Sequence, residues 1–578
     1  MKKFVSIAIG AALALASAVG FAGCGSAESY DPDNFLPNGT EENPYQIVKE
    51  SITLDIFVPR SASNPEFSSM KMFQTLEEMT NLNFNFIEAD TSAYSQLRSV
   101  AWEDQKNWPD LFLFSNPISE QVLYAQYGAM TAFNDPDLVV GGVEVGSLID
   151  NYMPTYKALL ENNFNIESQY SAAEVATLED GYMYSVLCVS DVPRDLTFHM
   201  YINQQWIENL RNRNVPIPAN VTSFETAADI PDAVDIRTVE EYIDILRLFK
   251  AYDANGNGDP NDEVPVSAKS LEYLRNFILA AYGYVYGGIE VENDGSAMTY
   301  VPATEAYRMY LQTMNTLYSE RLLDSQTFSI TTDAQLAQKG MEGRLGSFVS
   351  AAAYITVGMD TEDEYVMFGP VTSDYYQGEP LQWGFNNFSP TGAVIPSGTL
   401  AVREVARLLD IMYSEVGCQL IAYGEEGVDW TWDDDEHTAW TFHVPDNWTG
   451  SQEDYRATIT PNVGTGSALY WCYDFVGKMN DEIIHGLNSM SERYMPYLKQ
   501  PSPEDLKMTI DEYDSVELIS ATLDPQLENL EYNFVTGATD PYSDADWTDY
   551  LSRLERFGYK DLLKVYNDAY ARNQSEKN

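Results

Sequence analysis

The chain has 578 residues, which is too many for one compact hydrophobic core, so at least two domains or lobes are expected. Hydrophobic residues make up 44% of it and aromatic residues 13%, a composition that excludes a globally disordered chain. Its 33 Lys and Arg against 88 Asp and Glu give a net charge of −55. Such a charge repels phosphate backbones and anionic lipid headgroups, so no nucleic-acid partner is expected.

The first residues have the pattern of a secretory signal peptide. Lys2 and Lys3 precede an apolar run over 4–21, and Ala-Gly-Cys follows at 22–24. This pattern predicts a signal peptide over residues 1–23 that is removed on maturation. The Ala-Gly-Cys ending resembles a bacterial lipobox, in which Cys24 carries the lipid; an ordinary signal peptide with an incidental cysteine is the alternative. No second apolar run reaches the roughly 18–20 residues of a membrane span, so we expect attachment to the membrane through this lipid only.

The segment 24–50 is rich in Ser, Asp, Pro, Asn, Gly and Glu and has no apolar periodicity, which predicts a tether. The other cysteines are Cys188, Cys418 and Cys472, an odd number with wide spacing. This spacing is typical neither of a disulfide framework nor of a zinc site. One disulfide stays open as an alternative, and buried free thiols are expected.

Strands and helices alternate from residue 51 onward. Strands are predicted at 52–58, 82–87 and 108–114, with helices over 66–79 and about 91–104 between them. Two further strands are predicted at 182–187 and 196–202, and a helix begins near Thr238, which forms a capping box with Glu241. Later segments predict helices over 268–282, 303–321 and 401–415, strands at 344–349 and 364–368, and a mainly helical C-terminal third. The alternation predicts an α/β fold with a mainly parallel sheet.

The order of elements indicates that the chain leaves its first lobe and re-enters it. The prediction is a first lobe of about 51–190 plus part of 325–400, and a second lobe of about 200–325 plus much of 400–578. Several crossings between two lobes form a hinge with a cleft beside it, where ligands bind.

Residues 253–263, DANGNGDPNDE, have the spacing of a calcium-binding loop. Asp253, Asn255 and Asn257 occupy positions one, three and five, glycine stands at position six, and the backbone carbonyl of Asp259 is available at seven. Position twelve is a valine, so the closing carboxylate must come from Asp262 or Glu263. The sequence predicts structural Ca²⁺ rather than a sensor site, because Val264-Pro265 stops a second helix; a metal-free polar turn is the alternative.

Several motifs occur in an order that resembles a known family. They are Phe73-Gln-Thr-Leu-Glu-Glu-Met-Thr80, Trp108-Pro-Asp-Leu-Phe112, Gly181-Tyr-Met-Tyr184, Tyr201-Ile-Asn-Gln-Gln-Trp206 and the 253–263 loop. Together they resemble the extracellular solute-binding proteins of bacterial ABC importers, in the large lipoprotein branch associated with oligosaccharide uptake. The resemblance implies a monomeric, lipid-anchored, two-lobed clamp of the periplasmic-binding-protein type, which closes on a solute and delivers it to permease subunits.

Ligand-binding residues are predicted from two features. In α/β clamps the ligand contacts loops at the carboxyl ends of strands; these positions are Arg60, Asn64, Ser115, Asn116, Asp191 and Tyr354. Aromatic and amide side chains without clear periodicity suit a cleft that holds sugar rings; these are Trp383 and Asn386 in the stretch 381–388, and Trp430 in the stretch 424–450.

An enzyme is not expected. The four histidines lie in no metalloprotease or nucleophile-elbow motif. Glycoside hydrolysis needs only two carboxylates, which 88 acidic residues could supply, so a surface glycoside hydrolase stays as the main alternative. A glycan-binding adhesin without a transporter is the other.

Overall fold

The computed structural model describes residues 30–61, 64–168, 170–197, 199–217, 236–330, 333–358, 360–449, 452–462, 468–499 and 506–577. The predicted signal peptide over 1–23 and the predicted lipidation site Cys24 lie outside the described residues. Within the described ranges, no helix combines the length and the apolar character needed to cross a membrane.

The first lobe is built on a six-stranded sheet with the order β16-β6-β13-β3-β1-β2. Its strands are β1 (Ile52–Arg60), β2 (Leu82–Asp90), β3 (Leu111–Leu113), β6 (Ser185–Ser190), β13 (Phe388–Val394) and β16 (Tyr470–Trp471). β13 runs antiparallel to its neighbours β3 and β6, whereas the other neighbouring pairs are parallel. The alternating residues of β1 therefore lie in a mainly parallel sheet, as predicted.

The second lobe contains a four-stranded sheet with the order β12-β7-β11-β8. Its strands are β7 (His199–Asn203), β8 (Ser267–Ala268), β11 (Ser347–Ser350) and β12 (Tyr365–Phe368). Three two-stranded sheets accompany the larger ones: β4 (Val139–Val140) with β5 (Val143–Glu144), β9 (Ile289–Val291) with β10 (Met298–Tyr300), and β14 (Trp430–Trp432) with β15 (Trp440–Phe442).

Helices cover both sheets, and their apolar faces pack in two large hydrophobic cores. The helices that contribute to the first core are α1 (Lys71–Thr80), α4 (Leu148–Tyr152), α5 (Pro154–Glu161), α6 (Ala172–Ala176), α14 (Val402–Met412), α15 (Glu415–Tyr423), α16 (Gln452–Arg456), α17 (Tyr473–Val476) and α18 (Glu482–Tyr494). The helices that contribute to the second core are α8 (Gln204–Asn212), α9 (Val239–Ala251), α10 (Leu271–Ala280), α11 (Glu305–Ser319), α19 (Ile510–Thr536), α20 (Asp544–Arg556) and α21 (Tyr559–Lys577). The remaining helices are α2 (Tyr94–Glu103), α3 (Ile118–Gln126), α7 (Pro193–Leu196), α12 (Asp333–Met341) and α13 (Ala353–Val357).

The chain crosses between the two sheets repeatedly. It leaves the first sheet after β6, returns to it between β12 and β13, and leaves again after α18 to form the C-terminal helices α19 to α21. These crossings and the helical C-terminal portion confirm the predicted two-lobed α/β clamp.

The lobe boundaries differ from the prediction at two places. Much of 400–578 is predicted to belong to the second lobe, but helices α14, α15 and α18 contribute to the first core, and β16 pairs with β6 of the first sheet. The predicted tether extends too far, since the chain is packed from Tyr30 onward. Ile47 and Val48 are fully buried in the first core, and the Tyr30 hydroxyl donates to Glu404.

Candidate ligand-binding site

A cavity of about 500 Å³ lies beside the segment that returns from the second sheet to the first. Its walls come from helices α10, α19 and α21, from the loop 286–289 and from the returning segment 383–386. The lining includes the side chains of Glu272, Arg275, Asn276, Tyr286, Tyr300, Trp383, Phe385, Asn386, Ser520, Asp524, Leu527, Glu528, Leu562 and Tyr566. Ligand pockets of about 300–1,000 Å³ combine aromatic walls and a few polar groups in this way.

Trp383 is the anchor of the aromatic wall. Only 9% of it is exposed. With the Asn276 amide oriented so that both of its groups are paired, the Trp383 indole N–H donates to the Asn276 side-chain oxygen at 3.2 Å, and the Asn276 amide donates to the carbonyl of Val285. The rings of Tyr273 and Phe385 flank Trp383, each with its centroid 5.5 Å away. Phe385 is 45% exposed, so it presents an apolar ring face beside a rigidly held indole.

Gly384 joins the aromatic wall to a second crossing of the hinge. A Cβ atom at Gly384 would lie 2.1 Å from the carbonyl oxygen of Leu196, so this close approach requires glycine. The backbone N–H of Phe385 donates to the same carbonyl at 2.8 Å. The cavity wall is therefore joined directly to the segment that leads from β6 to β7.

Acidic groups dominate the charge of the cavity. Its lining carries the carboxylates of Glu272, Asp524 and Glu528 against one cation, Arg275. The Arg275 guanidinium already faces Glu531 at 3.3 Å and Glu272 at 3.8 Å. Burial and the neighbouring Glu528 raise the pKa of Asp524. Because the cation is paired and the acids crowd each other, the cavity favours a neutral or cationic ligand over an anion.

A buried ion pair holds the loop that carries Tyr286. The Glu290 carboxylate accepts the backbone N–H groups of Val285 and Tyr286 at 3.0 and 2.8 Å and pairs with the ammonium group of Lys499. Glu290 is fully buried and the Lys499 side chain is 7% exposed. Burial raises the pKa of Glu290, although Lys499 and the two N–H groups act in the opposite direction. Lys499 follows α18, so the pair links the hinge to the cavity wall.

The structure brings two of the predicted ligand-binding residues, Trp383 and Asn386, to this cavity. Five others lie at the carboxyl edge of the first sheet, outside the cavity lining. Arg60 pairs with Glu88 at 2.6 Å and donates to the carbonyl of Asn64, which is buried. Ser115 is exposed, with a positive φ of 56°.

The side chains of Asn116 and Asp191 form hydrogen bonds with backbone groups at that edge. The Asn116 amide donates to the carbonyls of Phe112 and Thr391, which ties β3 to β13. The Asp191 carboxylate accepts the backbone N–H of Tyr473 at 2.6 Å, and burial raises its pKa to about 6. These contacts explain the two side chains structurally, and their part in ligand binding stays a prediction.

The last two predicted ligand-binding residues lie elsewhere. Tyr354 lies on α13 and is half-buried, within electrostatic range of Arg194 and Glu453. Trp430 is fully buried, where its indole N–H donates to the carbonyl of Gly424 at 3.0 Å. Since it has no exposed face, Trp430 contributes packing of the first lobe in this conformation.

Most of the cavity lining was missed by sequence reasoning. Arg275, Tyr300, Asp524 and Tyr566 come from segments far apart in the chain, and each falls in an ordinary helical or strand pattern. No motif marks them. The one local signal that could have pointed to the cavity is the i, i+3 spacing of Glu272 and Arg275 on α10, which is typical of an ion pair on a helix.

The predicted calcium loop is closed by its own hydrogen bonds. The amides of Asn255 and Asn257 donate to the Asp262 carboxylate at 3.2 and 2.7 Å. The Asp253 carboxylate accepts the backbone N–H of Gly258 at 3.3 Å, and the side chain of Asn257 accepts that of Asp259 at 2.7 Å. Within the described ranges, no three His, Cys, Asp or Glu side chains are grouped closely enough to hold a metal ion.

Glu263 carries a buried carboxylate oxygen that has no hydrogen-bond partner among the described residues. It is 3% exposed, one carboxylate oxygen accepts the backbone N–H of Ala254 at 2.9 Å, and the other has no partner among the described residues. Burial raises the pKa of Glu263. A buried, unpartnered carboxylate oxygen beside amide and carboxylate oxygens fits the hard donor set that Ca²⁺ prefers.

No protein-family model matches the chain. Along its whole length it is similar to the fructooligosaccharide ABC transporter substrate-binding protein FusA of Streptococcus pneumoniae, with 22% identity over 593 aligned positions that cover 100% of both chains. The structure of FusA in complex with kestose has a TM-score of 0.70 and 19% identity, and covers 91% of this chain and 100% of that one. A FusA variant described as an EF-hand mutant, in complex with fructo-nystose, gives the same values.

Two other solved structures share the fold. A human-milk-oligosaccharide-binding, ABC-transporter-associated solute-binding protein of Bifidobacterium longum infantis has a TM-score of 0.69 at 17% identity, covering 90% of this chain and 99% of that one. An alginate-binding protein, solved without calcium ion, has a TM-score of 0.67 at 18% identity, covering 92% and 100%. The chain therefore has the fold of the ABC-transporter substrate-binding proteins, and the family resemblance indicated by its sequence motifs is confirmed.

Proposed function

We propose that this protein is the substrate-binding component of an ABC importer, and that it binds an oligosaccharide in the cavity beside Trp383. The observation that carries the proposal is the combination of a rigid indole, an exposed phenyl ring and several polar groups around one cavity at the hinge. Sugars present flat apolar faces and hydroxyl groups, and this wall offers partners for both. FusA, which has the same fold, is described in complex with kestose and with fructo-nystose.

The acidic lining favours neutral oligosaccharides. Titration calorimetry should therefore detect binding of a neutral oligosaccharide, such as kestose or a neutral milk oligosaccharide. An oligouronate of the same length should bind at least about tenfold more weakly, a difference of about 1.4 kcal/mol, because its carboxylates would face Asp524 and Glu528. Tighter binding of the oligouronate, or binding of no oligosaccharide at all, would contradict the proposal.

The same samples separate binding from catalysis. The bound oligosaccharide should be recovered intact by mass spectrometry after prolonged incubation, because a transport protein releases its solute unchanged. Shorter products would favour the glycoside hydrolase instead.

The protein would be a monomer on the outer face of the cell membrane, held by a lipid at Cys24 and delivering its solute to permease subunits. The mass of the N-terminal peptide of the mature protein checks the lipid. Co-purification with a permease in detergent checks the partner and separates transport from the adhesin alternative.

We further propose that the loop 253–263 binds structural Ca²⁺. Asp253, Asn255, Asn257, Asp262 and Glu263 would supply side-chain oxygens and Asp259 its backbone carbonyl. The unpartnered oxygen of Glu263 supports this proposal. An EF-hand variant of FusA exists as a solved structure, and the alginate-binding protein is described with reference to calcium, which also agrees with such a site.

Chelation should lower the melting temperature of the protein. At free calcium a hundred times above Kd, binding stabilises the folded state by about 2.7 kcal/mol, and EGTA removes this contribution. In the variant Asp253→Asn, the difference between the melting temperatures measured in calcium and in EGTA should largely vanish. In the matched control Asp435→Ala, at an exposed acid outside the loop, the difference should persist. Equal melting temperatures of the unmodified protein in calcium and in EGTA would contradict the site.

A further inference from the structure

Two hydrogen-bond donors in the lining of the cavity have no partner among the described residues. They are the hydroxyl group of Tyr300 and the Nε atom of Arg275, and both atoms are buried. Tyr300 as a whole is only 3% exposed. A buried donor without an acceptor destabilises the folded chain, because it loses its hydrogen bonds to water and gains none in return. Such a group in a cavity wall therefore indicates an acceptor that comes from outside the chain.

The surrounding elements fix the ring of Tyr300 in the cavity wall. Tyr300 ends β10 and pairs there with Ile289 of β9, which also lines the cavity. The Asn567 side chain on α21 accepts the backbone N–H of Met298 at 2.9 Å and donates to its carbonyl at 3.1 Å. The ring of Tyr559, also on α21, stacks on Tyr300 with the centroids 5.2 Å apart. The position of the hydroxyl is thus set by the fold.

The hydroxyl of Tyr300 complements the acidic groups of the same cavity. Burial, together with the negative charge of Asp524, raises the pKa of Tyr300, so the hydroxyl keeps its proton at neutral pH and acts as a donor. Ionised carboxylates, such as those of Asp524 and Glu528, only accept hydrogen bonds. A sugar hydroxyl both donates and accepts, so a ligand whose hydroxyl groups donate to the carboxylates still needs donors for its own oxygen atoms.

Tyr307 provides a comparison outside the cavity. Its hydroxyl is also buried and has no hydrogen-bond partner among the described residues. The residue lies on α11, fully buried in the second core, and is not part of the cavity lining. The missing partner of Tyr307 therefore concerns the core, whereas that of Tyr300 concerns the cavity.

We infer that the hydroxyl of Tyr300 donates a hydrogen bond to an oxygen atom of the bound oligosaccharide, which makes Tyr300 a specificity-determining residue of the cavity. This role rests on the proposed function. A site that is built to hydrogen-bond a ligand oxygen discriminates against a ligand that lacks it, because the buried donor then stays unpaired. Tyr300 therefore favours a ligand that brings a hydroxyl or ether oxygen to this wall over one that presents an apolar face there.

Calorimetric titration of the full chain with kestose and with a neutral milk tetrasaccharide tests this role. Tyr300→Phe removes the hydroxyl and keeps the ring, so it should weaken binding by about fivefold to tenfold, the effect of one hydrogen bond. Without ligand, the melting temperature of Tyr300→Phe should not fall, because the hydroxyl has no partner in the described chain to lose. In the matched control Tyr307→Phe, the affinity should equal that of the unmodified protein.

Unchanged affinity in Tyr300→Phe would overturn the inference. An equal loss of affinity in Tyr300→Phe and Tyr307→Phe would also overturn it, since it would indicate a change in the core. A lower melting temperature of unliganded Tyr300→Phe would contradict it as well, because the hydroxyl would then have a partner within the protein. If the unmodified protein binds neither oligosaccharide, the proposed function is wrong and this role falls with it.

Discussion

Replacing Lys499 by Met is expected to lower the free energy of unfolding by about 3–5 kcal/mol. The reason is that Glu290 is fully buried, and its negative charge would lose its partner. Chemical denaturation followed by circular dichroism measures the change. The matched control is Lys478→Met, which removes an ion pair with Asp474 at the surface and should cost less than about 1 kcal/mol.

The loss of unfolding free energy in Lys499→Met should become larger as the pH rises. Burial already raises the pKa of Glu290, and removing Lys499 removes an influence that lowers it. The folded variant then binds the Glu290 proton more tightly than the unfolded chain does. The variant is therefore least destabilised below the ordinary glutamate pKa, and it loses stability as the pH rises through the raised value. A deficit that grows toward acidic pH would contradict this explanation.

A double variant separates the pair from its surroundings. Glu290→Gln combined with Lys499→Met leaves no buried charge, so it should be more stable than Lys499→Met alone by at least about 1 kcal/mol. Because Glu290 also holds the backbone of Tyr286, Lys499→Met should weaken oligosaccharide binding as well. If the double variant is no more stable than the single one, the unpaired charge is not the cause.

Truncating the aromatic wall should give the largest loss of affinity. Phe385→Ala and Trp383→Ala should each weaken oligosaccharide binding, Trp383→Ala by about 30-fold or more, equivalent to about 2 kcal/mol. The two variants should differ in how much unfolding free energy they lose. Trp383 is 9% exposed, so its truncation leaves a void and should cost about 3–5 kcal/mol of unfolding free energy, whereas the 45% exposed Phe385 should cost much less.

Calorimetric titration well below the melting temperature separates the two effects. Phe385→Ala reports on the ligand contact with little loss of stability, so it remains informative if Trp383→Ala does not fold. The control is Trp448→Ala, at a 37% exposed aromatic residue outside the cavity lining, which should bind the ligand normally. Unchanged affinity in Phe385→Ala would place the ligand elsewhere in the cleft.

Local patterns explain why much of the fold was predictable. The alternating residues of β1 and β2 form the longest pair of the first sheet, from Ile52 opposite Leu82 to Arg60 opposite Asp90. Thr238 and Glu241 form the predicted capping box at the start of α9. Each of these features depends on neighbours within a few residues, whose preferences are present in the sequence.

β13 illustrates what local pattern does not contain. The segment Phe388–Val394 includes Pro390 and Gly392 and has no clear alternation, yet it is a central strand between β3 and β6. It is a strand because both neighbours supply hydrogen-bond partners. A Cβ atom at Gly392 would lie 2.7 Å from the carbonyl oxygen of Val186, so the glycine permits the close approach.

The sequence by itself determined the two-lobed α/β class, the loop at 253–263 and the nomination of Trp383, because each follows from residue type, spacing or the order of motifs. Only the tertiary structure decided that α14, α15 and α18 belong to the first lobe and that Trp430 is buried. The cavity, too, was decided only by the tertiary structure. Its acids and aromatic rings come from residues 272 to 566, and packing between distant segments is set by the whole core rather than by any local pattern.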